Sequence, residues 1–163
     1  MTYSLDEMTG IQALERVMPD IPMKPGRRVK VEFEYRRHGT QTLIASFNVA
    51  SGCIAQADVG ETRTEEDLNT HIKALLNQRP DASKTHLVMD CLNTHQSEAL
   101  VRIVAALEAK PPELGEKGKA GILKSMATRS EFLRDPSHRL VIHFTPKHCS
   151  WLNQIEIWFS ILA

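Results

Sequence analysis

Three carboxylates in this chain stand where solubility does not require them. Glu156 lies in "SWLNQIEIWFSILA" between Ile155 and Ile157 and just ahead of Trp158 and Phe159. Asn153, Glu156 and Ser160 recur at i, i+3 and i+7, so they share one face of a helix that is otherwise almost wholly apolar. Glu156 is therefore either the one wet edge of a mostly buried helix or a charge held at a site. Asp90 closes "THLVMD", a stretch apolar up to its last residue, which puts it at the carboxyl end of a strand, where open α/β sheets place their ligands. Asp6 closes "TYSLD" in the same manner, and Glu7 beside it reads as an exposed neighbour. No Lys or Arg stands in these motifs, and converging carboxylates repel one another unless they hold cations. Oxygen-only ligation selects Mg²⁺ or Mn²⁺ over zinc or copper, and two such ions about 3.5–4 Å apart form the clamp of phosphoryl transfer.

The elements that must position these groups follow from periodicity. "TYSL" reads as a short strand, and "GIQALERVMPDIPMKPG", with its prolines, as a connection. "RVKVEFEY" alternates Val29, Val31, Phe33 and Tyr35 with charged residues, the period of a half-buried strand. A turn at His38-Gly39 leads into "QTLIASFNVA", and Ser51-Gly52 then joins it to "CIAQADVG" as a hairpin. Thr64 caps a helix whose stripe is Leu68, Ile72, Leu75 and Leu76. After the Asp90 strand, Ser97 caps a second helix bearing Leu100, Ile103, Val104 and Leu107. Residues 111–139 read as an insertion with a short helix around "GILKSMATRSEFL"; "RLVIHF" returns to strand, and Ser150 opens the closing helix. This order predicts a three-layer α/β domain around a mixed sheet. Trp151 and Trp158 are expected as core anchors, and His143 at a layer boundary.

Composition bounds the rest. A chain of 163 residues, 42% hydrophobic and 25% charged, suits one soluble domain spanning 1–163. No apolar run is long enough to span a bilayer and no signal peptide opens the chain, which predicts a cytoplasmic protein with no membrane partner. Cys53, Cys91 and Cys149 are odd in number and irregularly spaced, as expected for reduced thiols. Net charge is zero, so charge alone makes no case for nucleic acid, although "KPGRRVKVEFEYRRHG" and residues 116–139 are locally basic.

Taken together, "SLDE", "EYRRHGTQTLIASFNVASG", "LVMDCLNTH" and "TPKHCSWLNQIEIWFSIL" resemble the catalytic domain of DDE-type transposases of bacterial insertion sequences, within the mariner superfamily. The resemblance touches nearly the whole chain, and its closing motif is the most specific part. It implies a ribonuclease H-like fold in which Asp6, Asp90 and Glu156 take the three catalytic, metal-binding positions and hold two ions of Mg²⁺ or Mn²⁺. It also implies DNA as partner, both transposon ends and target, with hydrolysis at the ends followed by 3′-hydroxyl attack, and a homodimer. Arg36, Arg37, His38 and Lys147 become DNA-backbone candidates, while Asn93, His95 and Asn153 become supports of the ligating carboxylates. Cys91 departs from the asparagine that usually follows the second aspartate, and the spacing to Glu156 is lengthened by residues 111–139. The helix-turn-helix region of such enzymes is not seen in this sequence, which reads as a fragment that also ends within its last helix.

Other readings remain beside this one. Cys91, His95, His148 and Cys149 offer zinc ligands, at spacings that match no common structural zinc pattern. An inhibitory transposase fragment acting by subunit binding, or another nuclease of the same fold, would use the same residues differently.

Overall fold

The computed structural model describes residues 1–163 and is organised by a five-stranded sheet in the order β3-β2-β1-β4-β5. The strands are β1 (Thr2–Arg16), β2 (Tyr35–Asn48), β3 (Cys53–Gly60), β4 (Thr85–Met89) and β5 (Leu140–Phe144). The helices are α1 (Glu65–Asn77), α2 (Glu98–Ala106), α3 (Met126–Leu133) and α4 (Gln154–Leu162). β2 runs antiparallel to both β1 and β3, whereas β4 lies parallel to β1 and β5. Tyr3, Leu5, Ile44, Leu87, Met89, Leu140 and Ile142 cover one face of the sheet and pack against Leu68, Ile72 and Leu75 of α1 and Leu100 and Val104 of α2. On the opposite face Leu43 and Ala45 of β2 meet Ile155 and Phe159 of α4. The expected three-layer α/β domain with a central mixed sheet, ribonuclease H-like in strand order, is therefore what forms. No helix is long and apolar enough to cross a membrane.

The caps read from sequence form as expected. Thr64 and Asp67 make a reciprocal capping box at the start of α1, and the Ser97 hydroxyl accepts the Leu100 N–H at the start of α2. The short helix in residues 111–139 is α3, capped by Ser125. This segment also sends Leu123 and Leu133, both fully buried, into the main core.

The β1–β2 hairpin departs from the sequence reading. β1 continues through "GIQALER", expected as a connection, so Asp6 sits within a strand and not at its end. "RVKVEFEY" forms no strand before Tyr35, and Val29, Val31 and Phe33 are 52%, 54% and 83% exposed. None of residues 17–34 is buried, and beyond Arg16 and Tyr35 the β1–β2 ladder that holds the exposed part of the arm as strand has ended. The turn expected at His38-Gly39 is a bulge inside β2, where Gln12 pairs with Thr40 and Leu14 with Arg37. Gly39, at φ 96°, provides the positive φ that a bulge can require as much as a turn. At the other end of the chain, residues Ser150–Leu152 form a 3₁₀ turn, and α4 begins only after Asn153. Trp151, expected in the core, is 67% exposed on that turn. Trp158 packs at the edge of the smaller core, and His143 is exposed with its Nε2 2.9 Å from His86 Nδ1.

Candidate active site

β1 and β4 are hydrogen-bonded neighbours with Thr2 opposite His86 and Ser4 opposite Val88, so this register carries Asp6 and Asp90 to the same end and the same face of the sheet. Their carboxylates meet there. Ligand atoms of Asp6, Asp90 and His95 all lie within 4.8 Å of one another. Asp6 is buried: its Oδ1 accepts the Glu7 N–H at 2.9 Å and its Oδ2 accepts Asn153 Nδ2 at 3.2 Å. Asp90, placed just past β4, accepts the Leu92 N–H at 3.0 Å on Oδ1, and that oxygen lies 2.8 Å from His95 Nδ1, which is also 3.2 Å from the Asp90 backbone carbonyl. Its Oδ2 receives no hydrogen bond from the protein.

His95 comes from the 3₁₀ turn Thr94–Gln96 and has no exposed side-chain surface. Its Nε2 lies 3.1 Å from Glu7 Oε1, and that carboxylate is only 2% exposed. The imidazole thus bridges two carboxylates. Burial alone would lower the His95 pKa, but the bonds to Asp90 and Glu7 outweigh it and push the ring up to about 10, so it is an imidazolium donating from both nitrogens. The bond from His95, ahead of the Leu92 N–H, holds Asp90 below its ordinary range. Asp6 moves the other way: burial, assisted by the charge of Asp90, raises it to about 6. Three carboxylates against one imidazolium leave the site two negative charges in excess once Asp6 is ionised. A divalent cation matches that excess, and the donors available to it are hard oxygens, as Mg²⁺ and Mn²⁺ require.

Asn153 joins Asp6 to the start of α4. Fully buried ahead of α4, it donates to the Leu5 carbonyl at 2.8 Å as well as to Asp6, and its Oδ1 accepts the Ser4 hydroxyl. Ser4 Oγ also accepts the Ile155 N–H at 2.8 Å, so the first turn of α4 is tied to β1 directly beside Asp6. Glu156 is half-buried in that first turn, and its carboxylate lies outside the Asp6–Asp90–His95 group. Asn93 and Lys147 line an open cleft of about 580 Å³ beside Asp90, together with Cys91, Gln96 and His148. Arg36, Arg37 and His38 are exposed on the hairpin arm, where His38 Nε2 lies 2.7 Å from Glu15 Oε2 and Arg37 stands over the Tyr35 ring. At the rise of a strand the eight residues from Asp6 to Leu14, the partner of Arg37, span roughly 25 Å, so this basic group lies far along the arm from the carboxylates.

The zinc alternative does not assemble. Both His95 nitrogens face carboxylates, and Cys91 Sγ donates to the Thr145 carbonyl at 3.2 Å. All three cysteines are free thiols. Glu7 is the residue that sequence reasoning missed. In a strand, consecutive side chains point to opposite faces, so with Asp6 on the α4 face Glu7 had to enter the face covered by α1 and α2. A carboxylate there needs a partner, and the nearby "NTHQ" motif contained one.

The sequence model of the family described as DDE superfamily endonuclease matches residues 1–163. Among solved structures the chain is similar to the Mos1 mariner paired end complex with Mn, at 15% identity and a TM-score of 0.41 over 98% of this chain and 48% of that one. The Mos1 transposase paired-end complex with left transposon end is similar at 15% identity and a TM-score of 0.43, over 98% and 47%. The Mos1 Strand Transfer Complex follows at 13% identity and a TM-score of 0.38, over 98% and 46%. The chain therefore spans about half the length of these structures. No curated protein matches it.

Proposed function

The chain belongs to the DDE superfamily endonucleases, and from that premise we propose that it is the catalytic domain of a DNA transposase, cleaving DNA at transposon ends and joining the freed 3′-hydroxyl to target DNA. The observation that carries this reading is the meeting of Asp6 and Asp90 across adjacent strands, with ligand atoms within 4.8 Å of one another and of His95. In this reading Asp6, Asp90 and Glu156 are the catalytic residues and hold two Mg²⁺ or Mn²⁺ ions. Bound there, the ions supply Lewis-acid activation of the attacking oxygen and charge stabilisation at the leaving oxygen.

The chain's own side chains prepare that chemistry. Asn153 fixes one Asp6 oxygen, and His95 with the Leu92 N–H fixes one Asp90 oxygen, so each carboxylate meets its ligand in a set orientation. Glu156 follows Asn153 by three residues and so rides the side of α4 anchored to β1. Lys147 and Asn93, on the walls of the cleft beside Asp90, hold the phosphates flanking the scissile bond, and Arg36, Arg37 and His38 hold duplex further along. Hydrolysis and strand transfer are both in-line displacements at phosphorus, which is why one site serves both. A homodimer, pairing two DNA ends, and a cytoplasmic location complete the proposal.

The test is Mn²⁺-dependent nicking of supercoiled plasmid by the 163-residue chain, with strand-joined products assayed alongside. Asp90→Asn and Asp6→Asn are expected to abolish both. Nicking that persists in both variants removes the proposed site, and nicking without any joined product points to a nuclease of the same family that does not transpose.

A further inference from the structure

We propose that Glu7 is a positioning residue for Asp90, acting through His95. The proposal rests on reading Asp6 and Asp90 as the cation-holding pair. Consecutive residues of β1 divide the work: Asp6 faces α4 and the site, whereas Glu7 enters the opposite, helix-covered face, where its side chain is 2% exposed. Its one ion-pair partner is His95, at 3.1 Å. The other His95 nitrogen lies 2.8 Å from Asp90 Oδ1 and 3.2 Å from the Asp90 backbone carbonyl, so both contacts of Nδ1 are to Asp90.

An imidazole has two in-plane nitrogens and no other donor, so a bond at Nε2 sets how the ring is turned. With Nε2 held by Glu7, Nδ1 falls on Asp90. A ring released from Glu7 can turn over about its Cβ–Cγ bond and set a C–H against Asp90. The Leu92 N–H shares Oδ1 with His95, at 3.0 Å, so the constraint acts on one carboxylate oxygen and leaves Oδ2 without a hydrogen bond from the protein. The relay also ties β1, which carries Asp6, to the turn after β4, which carries Asp90. It thereby fixes the spacing of the two carboxylates as well as the orientation of one. Supports of this kind behind a ligating carboxylate act on metal affinity through geometry.

The experiment measures Mn²⁺ binding to the metal-free 163-residue chain by calorimetry and the ¹⁵N signals of the His95 ring by NMR, with plasmid nicking as a third readout. Glu7→Gln is expected to weaken Mn²⁺ binding and slow nicking by about tenfold each, to shift the ring signals, and to leave DNA binding in EDTA unchanged. His95→Gln is expected to match its losses of Mn²⁺ binding and nicking, and the double variant to be no worse than His95→Gln alone. Should Glu7→Gln fail to fold, Glu7→Asp, which keeps the charge but withdraws it by one methylene, carries the same comparison. Wild-type Mn²⁺ affinity and ring signals in these variants, or losses that multiply in the double variant, overturn the proposal. Asp90→Asn separates the two ideas. If it binds Mn²⁺ like wild type, the cation reading falls, while the response of the His95 ring to Glu7→Gln still decides the linkage.

Discussion

Asp6 is buried against Asn153 with another carboxylate close by, and its pKa of about 6 shows that the metal-free fold holds its anion at a cost. Relative to its ordinary value of 3.8, that shift is worth about 3 kcal/mol. The sign follows from linkage. A group whose pKa is raised by folding contributes stability below its unfolded value and loses that contribution as pH rises through the folded one. Stability of the metal-free chain in urea is therefore expected to fall between pH 4 and about 6, with saturating Mg²⁺ restoring it above that range. Asp6→Asn removes the anion but sets an amide N–H₂ against Asn153 Nδ2. It is expected to raise stability in EDTA at pH 7.5 by about 2 kcal/mol while abolishing nicking and the Mg²⁺ response, as denaturant titration with and without metal will show. Unchanged stability in EDTA would mean that Asp6 is not held as a strained anion. This residue was singled out from its type and its place after "TYSL"; its burial and its partner Asn153 became visible only with the fold.

Among the elements, α4 is held to β1 chiefly through Asn153, Ser4 and the Ile155 N–H, because much of its apolar surface, including Ile157, Ile161 and Leu162, is exposed. Asn153→Ala strips the Leu5 carbonyl and the Ser4 hydroxyl of a buried partner. It is expected to cost about 2–3 kcal/mol in thermal or urea unfolding and to lower nicking more than DNA binding. A second tie joins α1 to the sheet: His71 Nδ1 donates to Asp58 Oδ2 at 2.5 Å, and Nε2 accepts the Ser46 hydroxyl at 2.7 Å. Burial lowers the His71 pKa. A histidine lowered by folding stabilises above its unfolded pKa of 6.5 and loses that contribution as pH falls toward the folded value, opposite in sign to Asp6. Ser46→Ala leaves Nε2 without its donor and is expected to cost about 1–3 kcal/mol at neutral pH, measurable in urea. The helix α1 itself was legible from Thr64, Asp67 and its stripe of leucines, because capping and burial are both local to it. Its tie to Ser46 was not, since residues 25 apart meet only through the order of the strands.

At the scale of the molecule, a three-layer body carries a projecting arm. Residues 17–34 contain no buried side chain, so replacing them with a two-residue turn is expected to change stability by less than about 1 kcal/mol. Arg36→Ala with Arg37→Ala is expected to weaken binding to any duplex and to reduce the salt slope of binding by about 2, read by anisotropy across a salt series. Wild-type salt dependence in that variant would remove the arm from the DNA surface. The sequence by itself determined the body: caps at Thr64 and Ser97, the apolar strands of β4 and β5, and the carboxylates Asp6 and Asp90, because cap chemistry and hydrophobic period are properties of neighbouring residues. It misjudged the tip of the arm, where "RVKVEFEY" has the period of a strand but, short of Tyr35, neither buried side chains nor a paired neighbouring strand. Only the tertiary structure decided that β1 lies beside β4, which brings Asp6 to Asp90, and that Glu7, one residue on, turns inward to His95. Strand order and the sidedness of a pleat are set by packing between segments far apart in the chain, and no local period encodes them.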